Sequence, residues 1–509
     1  MPRVRLRTSE SLSRSNNVFA RFLNWMTGGE HWTHHHASVF VLTFFSFAFI
    51  HATRKTLSTV KPSMIAIWTQ NTTASGPLFP SAQAASEFLA YLDGGFLFAY
   101  SIGLFVGGML GDRYDPRSVL SIGMWLSAIA TFLFGYVTEI FGVYSKIIYS
   151  VLWIASGIFQ SVAWPTEVCI MGNWFGHHSR GTVMGIWSAC ASAGNIIGTL
   201  ISSQMVLIGY EYAFAANSLI LFVFAFLVYW NLASAPRDVG LPDTAEFPDE
   251  MNRVIEVRSD DPTARPSPIG FQRACCLPGV LPYSLAYACL KLVNYGFFFW
   301  LPFYLHNRFG WKESDADALS TWYDVGGIFA AVLAGAVSDH FSSRTPLVVS
   351  MLSLSTFALY AVSNSPPTFF ANAVLLAVAG FFIGGPANMI SSSVSADLGR
   401  ARELRGNAEA LATVTGIVDG TGSLGASLGQ LVIPPIQQWY GWNTIFYCFI
   451  VMIVATCLFL TPLLIKECLK RRQMHYSNLS SEEDEEAEGL LQDEEQNVRR
   501  RVLPDIDSD

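Results

Sequence analysis

"GMLGDRYDPR" at residues 108–117 and "GAVSDHFSSR" at residues 335–344 share one skeleton: glycine to acid spans four positions and acid to arginine five, at an offset of 227. The residues concerned are Gly108, Asp112 and Arg117 in the first copy and Gly335, Asp339 and Arg344 in the second. Such a loop has a physical use. Glycine lets two helix ends approach closely, and the acid can cap the next helix or pair with the following cation. Each copy follows an apolar stretch long enough to cross about 30 Å of hydrocarbon.

Outward from these loops, apolar stretches fall near residues 37–59, 87–110, 118–137, 147–171, 182–207 and 212–233. They resume near 279–305, 319–340, 345–363, 368–395, 408–433 and 441–465. The reading is an all-α polytopic membrane protein with 12 transmembrane helices in two pseudo-symmetric six-helix bundles. The expected divisions are an N-terminus over 1–36, bundles over 37–233 and 279–465, a linker over 234–278 rich in Pro, Asp, Glu and Arg, and a tail over 466–509. Composition agrees: 51% hydrophobic and 14% charged, with mean hydropathy +0.36, is not the make-up of a soluble globular chain.

The charges orient the spans. If the N-terminus is cytoplasmic, 24 of the 31 lysines and arginines fall inside, and only Lys61, Lys146, Arg308 and Lys312 fall in outside loops. Both termini are therefore expected on the cytosolic side. The sequon at Asn71 lies in the longest outside loop, as a glycosylated site would. The tail holds 13 acids and 7 bases and reads as solvated and disordered. Within it, Glu486 followed by Leu490-Leu491 resembles an endosomal and lysosomal sorting signal. The first apolar run is long enough to be a span, so no cleavable signal peptide is expected. None of the eight cysteines falls in an outside loop, and no metal-ligand spacing is present. Cys275-Cys276 reads as two interfacial thiols, with acylation as the alternative.

Three features bear on chemistry. Gly420-x-Gly422-x-x-Gly425 is formally a dinucleotide fingerprint, but it lies inside the eleventh span without the strand that fingerprint requires. Gly416, Gly420, Gly425 and Gly429 instead read as a helix-packing stripe, and no cofactor is expected. Acids within spans are Asp93, Glu167, Asp324 and Asp419, with Glu409 near an inner end; pairing with buried cations is their expected use, ahead of proton coupling. The cations are Arg54 and Lys55 in the first span and Lys291 in the seventh, one turn before Asn294. If the first helix continues past Lys61-Pro62, Arg54 lies near mid-depth; if it breaks near Ser58, both cations snorkel at an interface. One base from each half facing a cavity would suit a phosphoryl group, which arginine grips bidentately.

The stretches "HATRKTLSTVK" (51–61), Trp164-Pro165, Asn173 to Gly181 and "CLKLVNYGFFFWLPFYL" (289–305) resemble the organophosphate:phosphate antiporter family of the major facilitator superfamily, and within it the sugar-phosphate exchangers. The resemblance covers most of residues 37–465. It implies an alternating-access carrier of a phosphoryl- or phosphonate-bearing anion in an endomembrane of endoplasmic reticulum or lysosome, with no bond chemistry. Arg54 matches the family's first-helix substrate arginine, and Lys55 the basic residue that often follows. Two positions depart from the family pattern. Its second arginine falls here on Asn294, and its fifth-helix histidine falls within Trp187 to Ala191, where no basic residue stands. Transport without phosphate linkage, or a partner-dependent scaffold beside a single-span subunit, are the alternatives. The expected substrate contacts are Arg54, Lys55, Lys291, Asn294 and Tyr295, with Trp164 and Trp300 shaping the cavity. The two repeated loops are expected to act as conformational latches. The partners expected are a small anion, the lipid bilayer and that accessory membrane subunit, with no nucleic acid.

Overall fold

The computed structural model describes residues 32–70, 76–175, 180–241, 267–311, 313–339, 344–400, 408–469 and 472. Twelve long helices stand among them. In the first half these are α1 (His34–Trp68), α2 (Ala82–Arg113), α3 (Pro116–Ile140), α4 (Lys146–Trp174), α5 (Thr182–Met205) and α6 (Tyr210–Asn231). In the second they are α7 (Val280–Phe309), α8 (Glu313–Asp339), α9 (Thr345–Ser363), α10 (Phe369–Gly399), α11 (Leu411–Tyr440) and α12 (Trp442–Leu469). The packing and cavity discussed below lie in the compact unit that ends at Phe459. Asn71, Glu486, Leu490 and Leu491 lie outside the described residues.

Helix α1 is continuous through Lys61-Pro62 to Trp68, which decides between the two readings of the first span. Arg54 therefore sits well inside the helix. Lys61 is corrected from a loop residue to a helical one, and it forms an ion pair with Asp93 of α2. A membrane helix tolerates proline here because neighbouring groups satisfy what its missing N–H leaves open. Beyond this point Trp68 packs with Tyr149 and Phe79 into a buried aromatic cluster with Trp153, Phe134 and Phe214.

Eleven of the described helices are apolar enough to cross a membrane by composition, and α11 falls short of that measure. Its position explains why. A Cβ on Gly416 would stand 2.4 Å from the Leu104 carbonyl of α2, and one on Gly425 would stand 2.3 Å from the Ala288 carbonyl of α7. The glycine stripe thus presents one stretch to each half, and α11 exchanges lipid-facing side chains for close backbone contact.

The duplication is visible in contacts as well as in sequence. Gly185 of α5 approaches Gly335 of α8, and the pair displaced by the repeat offset, Ala412 of α11 and Gly108 of α2, approaches in the same way. Two cross-half hydrogen bonds join residues 227 apart: Trp164 Nε1 donates to the Ser391 carbonyl at 3.0 Å, and Arg400 Nη2 donates to Asn173 Oδ1 at 2.8 Å. Residues separated by the repeat offset can touch only near the pseudo-twofold axis, so α4 and α10 meet their own counterparts along it. The acceptor Ser391 lies in a π-helical turn, Ile390–Val394, a feature that loosens the helical ladder and recurs at functional sites.

Candidate functional site

Near the middle of this axis lies a cavity of about 120 Å³, lined from both halves. Arg54 reaches it from α1 and is only 7% exposed. Its Nε donates to Gln160 Oε1 at 3.2 Å, and Gln160 in turn donates to Ser156 Oγ. The guanidinium carbon lies 4.6 Å from the Tyr100 ring centroid and 5.2 Å from that of Phe96. Nη1 and Nη2 are buried and find no hydrogen-bond acceptor among the described residues. The chain thus fixes one edge of the fork and buries the other beside the Tyr100 and Phe96 rings without an acceptor among the described residues.

Lys291 reaches the same cavity from α7 in a different state. Its ammonium pairs with Asp419 Oδ1 of α11 at 2.8 Å and donates to Ser423 Oγ at 2.7 Å, flanked by the rings of Tyr287 and Tyr295. Both partners of the pair are about 95% buried. The two bases expected to act alike therefore do not: Lys291 is already neutralised by a carboxylate of its own half. Lys55 lies over the Phe298 ring at 4.9 Å and in the field of Asp324, which accepts from Ser192 Oγ at 3.2 Å. Asn294 accepts from the Tyr323 hydroxyl at 2.7 Å, and Tyr295 lines the cavity beside it.

Trp164 lines the cavity, stacked at 4.9 Å on Trp187 and packed on Phe47. Trp300 does not. It faces a small apolar pocket with Tyr304, Trp442 and Phe446, and its Nε1 donates to Gln430 Oε1 at 2.8 Å. At about 100° per residue, position 300 is turned to the side of α7 opposite Lys291. Sequence reading missed His51. One turn before Arg54 on the same face, it lines the cavity and is hydrogen-bonded through Nδ1 to Asn195 Oδ1 of α5 at 3.2 Å. A polar ring within an apolar run, three residues from a buried arginine, was the available signal.

The repeated loops divide their work. Asp112 caps the other half: its two carboxylate oxygens accept from the backbone N–H groups of Ala412 and Thr413, each at 2.8 Å, at the start of α11. This complements the positive end of that helix. Gly108 and Gly335 also sit at cross-half approaches. Arg117 instead pairs with Asp115 in its own loop, and Arg344 pairs with Asp397 at 2.7 Å and donates to Ser338 within the second half. The side chain of Asp339 lies outside the described residues. No cluster of three or more metal-ligating side chains occurs among the described residues.

Two helical halves around a central polar cavity define the class, a multi-pass membrane carrier. A family model described as Major Facilitator Superfamily matches residues 43–413 and 313–488. Sugar phosphate exchanger 3 of Mus musculus is 48% identical over 88% of this chain and 97% of its own length, and that of Homo sapiens is 48% identical over 87% and 96%. Putative glycerol-3-phosphate transporter 5 of Arabidopsis thaliana is 36% identical over 88% of this chain and 94% of its own. Among solved structures, the proton:xylose symporter XylE bound to 6-bromo-6-deoxy-D-glucose aligns with a TM-score of 0.64 over 84% of this chain and 96% of that one, at 14% identity, which speaks to the fold alone. The chain belongs to the major facilitator superfamily, in the same family as the sugar phosphate exchangers.

Proposed function

We propose that the chain is an alternating-access carrier of an organic phosphate or phosphonate anion, with Arg54 as its anion-gripping residue. The observation that carries this is the unsatisfied edge of the Arg54 fork, on a residue that lines the cavity. A buried charge without a partner is costly, and the two unsatisfied nitrogens, once uncovered at the cavity, match the paired oxygens of a phosphoryl group. The relatives' names point to the same cargo, since they specify sugar phosphate and glycerol 3-phosphate. Tyr295 and Asn294 supply polar contacts, and Lys55 supplements the field. Lys291 contributes only as far as its pair with Asp419 opens. Transport in this reading breaks no covalent bond, and it need not be linked to phosphate.

The charge asymmetry of the loops supports cytosolic termini, and of the two expected endomembrane addresses, endoplasmic reticulum and lysosome, the Leu490-Leu491 motif supports lysosomal traffic. The test is uptake of labelled glycerol 3-phosphate, glucose 6-phosphate and a phosphonate into proteoliposomes, either loaded with phosphate or empty. Uptake that falls by about tenfold or more with Arg54→Ala is the expected result, and the two loadings separate exchange from unlinked transport. No uptake of any probe under either loading overturns the reading in favour of a partner-dependent scaffold.

A further inference from the structure

The cavity permits a count of fixed charge. Arg54, Lys55 and Lys291 contribute three positive charges, and Asp324 and Asp419 contribute two negative ones. With His51 neutral, the lining carries a net charge of one positive. That excess falls to Arg54, because Lys291 is paired with Asp419 and Lys55 shares the cavity lining with Asp324, within its electrostatic reach.

We propose that Asp419 and Asp324 set the charge of the cargo, matching the carrier to a singly charged phosphoryl anion: a protonated phosphate monoester, a phosphodiester or a phosphonate monoanion. This rests on the carrier reading above and deepens it. A monoanion on Arg54 brings the lining to neutrality. A dianion leaves one negative charge uncompensated in a poorly solvated space, unless it displaces Asp419 from Lys291 and strands that carboxylate instead. The two acids are thus specificity-determining residues: Asp419 occupies a lysine the cargo would otherwise reach, and Asp324 offsets the charge of Lys55 across the lining. The empty carrier benefits too, since it holds one uncompensated charge in the membrane interior rather than three.

The remaining titratable groups facing the Lys291–Asp419 pair are His51 on α1, Tyr100 on α2, and Tyr287 and Tyr295 on α7; Tyr323 stands beside Asp324 on α8. Of these, His51 alone has an ordinary pKa near the working range, so it needs its own control.

The experiment is binding of two probes to the purified full-length chain, read by intrinsic tryptophan fluorescence. One probe is glycerol 3-phosphate, whose second ionisation lies near pH 6 as for other phosphate monoesters. The other is its methyl ester, singly charged throughout. For the wild type, lowering pH from about 7.5 to about 5.5 should tighten glycerol 3-phosphate roughly 25-fold, following the monoanion fraction, and leave the methyl ester unchanged. Acid tightening of both probes would assign the effect to His51 and overturn the inference. Asp419→Asn and Asp324→Asn each raise the lining to two positive charges by independent routes. Both should reverse the preference toward the dianion, and Lys291→Met/Asp419→Asn should restore the wild-type ratio. If Asp419→Asn fails to fold, Asp324→Asn decides alone. An unchanged ratio in a folded variant, with binding still dependent on Arg54, overturns the inference and leaves the carrier reading standing. A wild type that binds neither probe removes both.

Discussion

Arg54 and Lys291 stand on the first helix of each half and line one cavity, yet they are held in opposite ways. Lys291 is saturated by Asp419 and Ser423, whereas Arg54 has one edge tied to Gln160 and the other buried without an acceptor among the described residues. Two buried bases that look interchangeable in a hydropathy plot thus separate into a closed ion pair and a guanidinium with one unsatisfied edge. What divides them is the partner supplied by a helix more than a hundred residues away.

The largest expected effect tests the closed side of this comparison. Lys291→Met strands a buried carboxylate and should cost about 3–5 kcal/mol of stability, read as loss of thermal stability in detergent, with Lys291→Met/Asp419→Asn close to wild type. The reverse deletion is milder, because the long stem of Lys291 can carry its ammonium toward the cavity. Equal stability of the single and double variants would break the comparison.

Next comes the open side. Arg54→Ala should lower uptake by a factor corresponding to about 1.5–3 kcal/mol, the range for hydrogen bonds to a charged group, without lowering thermal stability, since it removes an unpaired buried charge. Arg54→Lys should recover only part of the uptake, because an ammonium cannot reproduce the fork. A destabilised Arg54→Ala would mean that this residue, too, is structural.

A smaller effect is expected at the cross-half contacts. Asp112→Ala removes the cap on α11 at a cost of about 0.5–2 kcal/mol. It should favour separation of the halves at that end and speed alkylation of Cys169, buried on α4 between the Trp164 and Asn173 contacts. Mass spectrometry of the Cys169 peptide supplies the measurement, and an unchanged rate would remove Asp112 from the latch.

Smallest of all is Glu167→Gln. The carboxyl accepts from Ser46 through Oε1, while Oε2 is buried without a hydrogen-bond partner among the described residues, and Glu167 does not line the cavity. The isosteric amide should leave uptake within about twofold, a shift of under roughly 0.5 kcal/mol. A large loss would make Glu167 part of the transport cycle and show that the comparison of Arg54 with Lys291 omits a third ionisable site.

Much of the fold was legible because membrane insertion writes itself into composition: apolar length, loop charge and an exact repeat offset are local or one-dimensional signals. The G-x-x-x-D loops gave the duplication, and the glycines of α11 gave its packing role although its hydropathy is low. The site was legible in part. Arg54, Lys55, Lys291, Asn294, Tyr295 and Trp164 come together at one cavity, but Trp300 shares α7 with Lys291, Asn294 and Tyr295 and faces away. His51 was passed over, because a single histidine in an apolar run has no partner until Asn195 is brought beside it.

By itself the sequence determined the span count, the internal duplication and which basic residues enter the membrane, because each follows from the cost of placing polar groups in hydrocarbon. Only the tertiary structure decided which of those bases is neutralised and which keeps an unsatisfied donor edge. Neutralisation depends on contacts of a few ångströms between helices far apart in the chain, and no periodicity within one helix encodes the distance from Lys291 to Asp419.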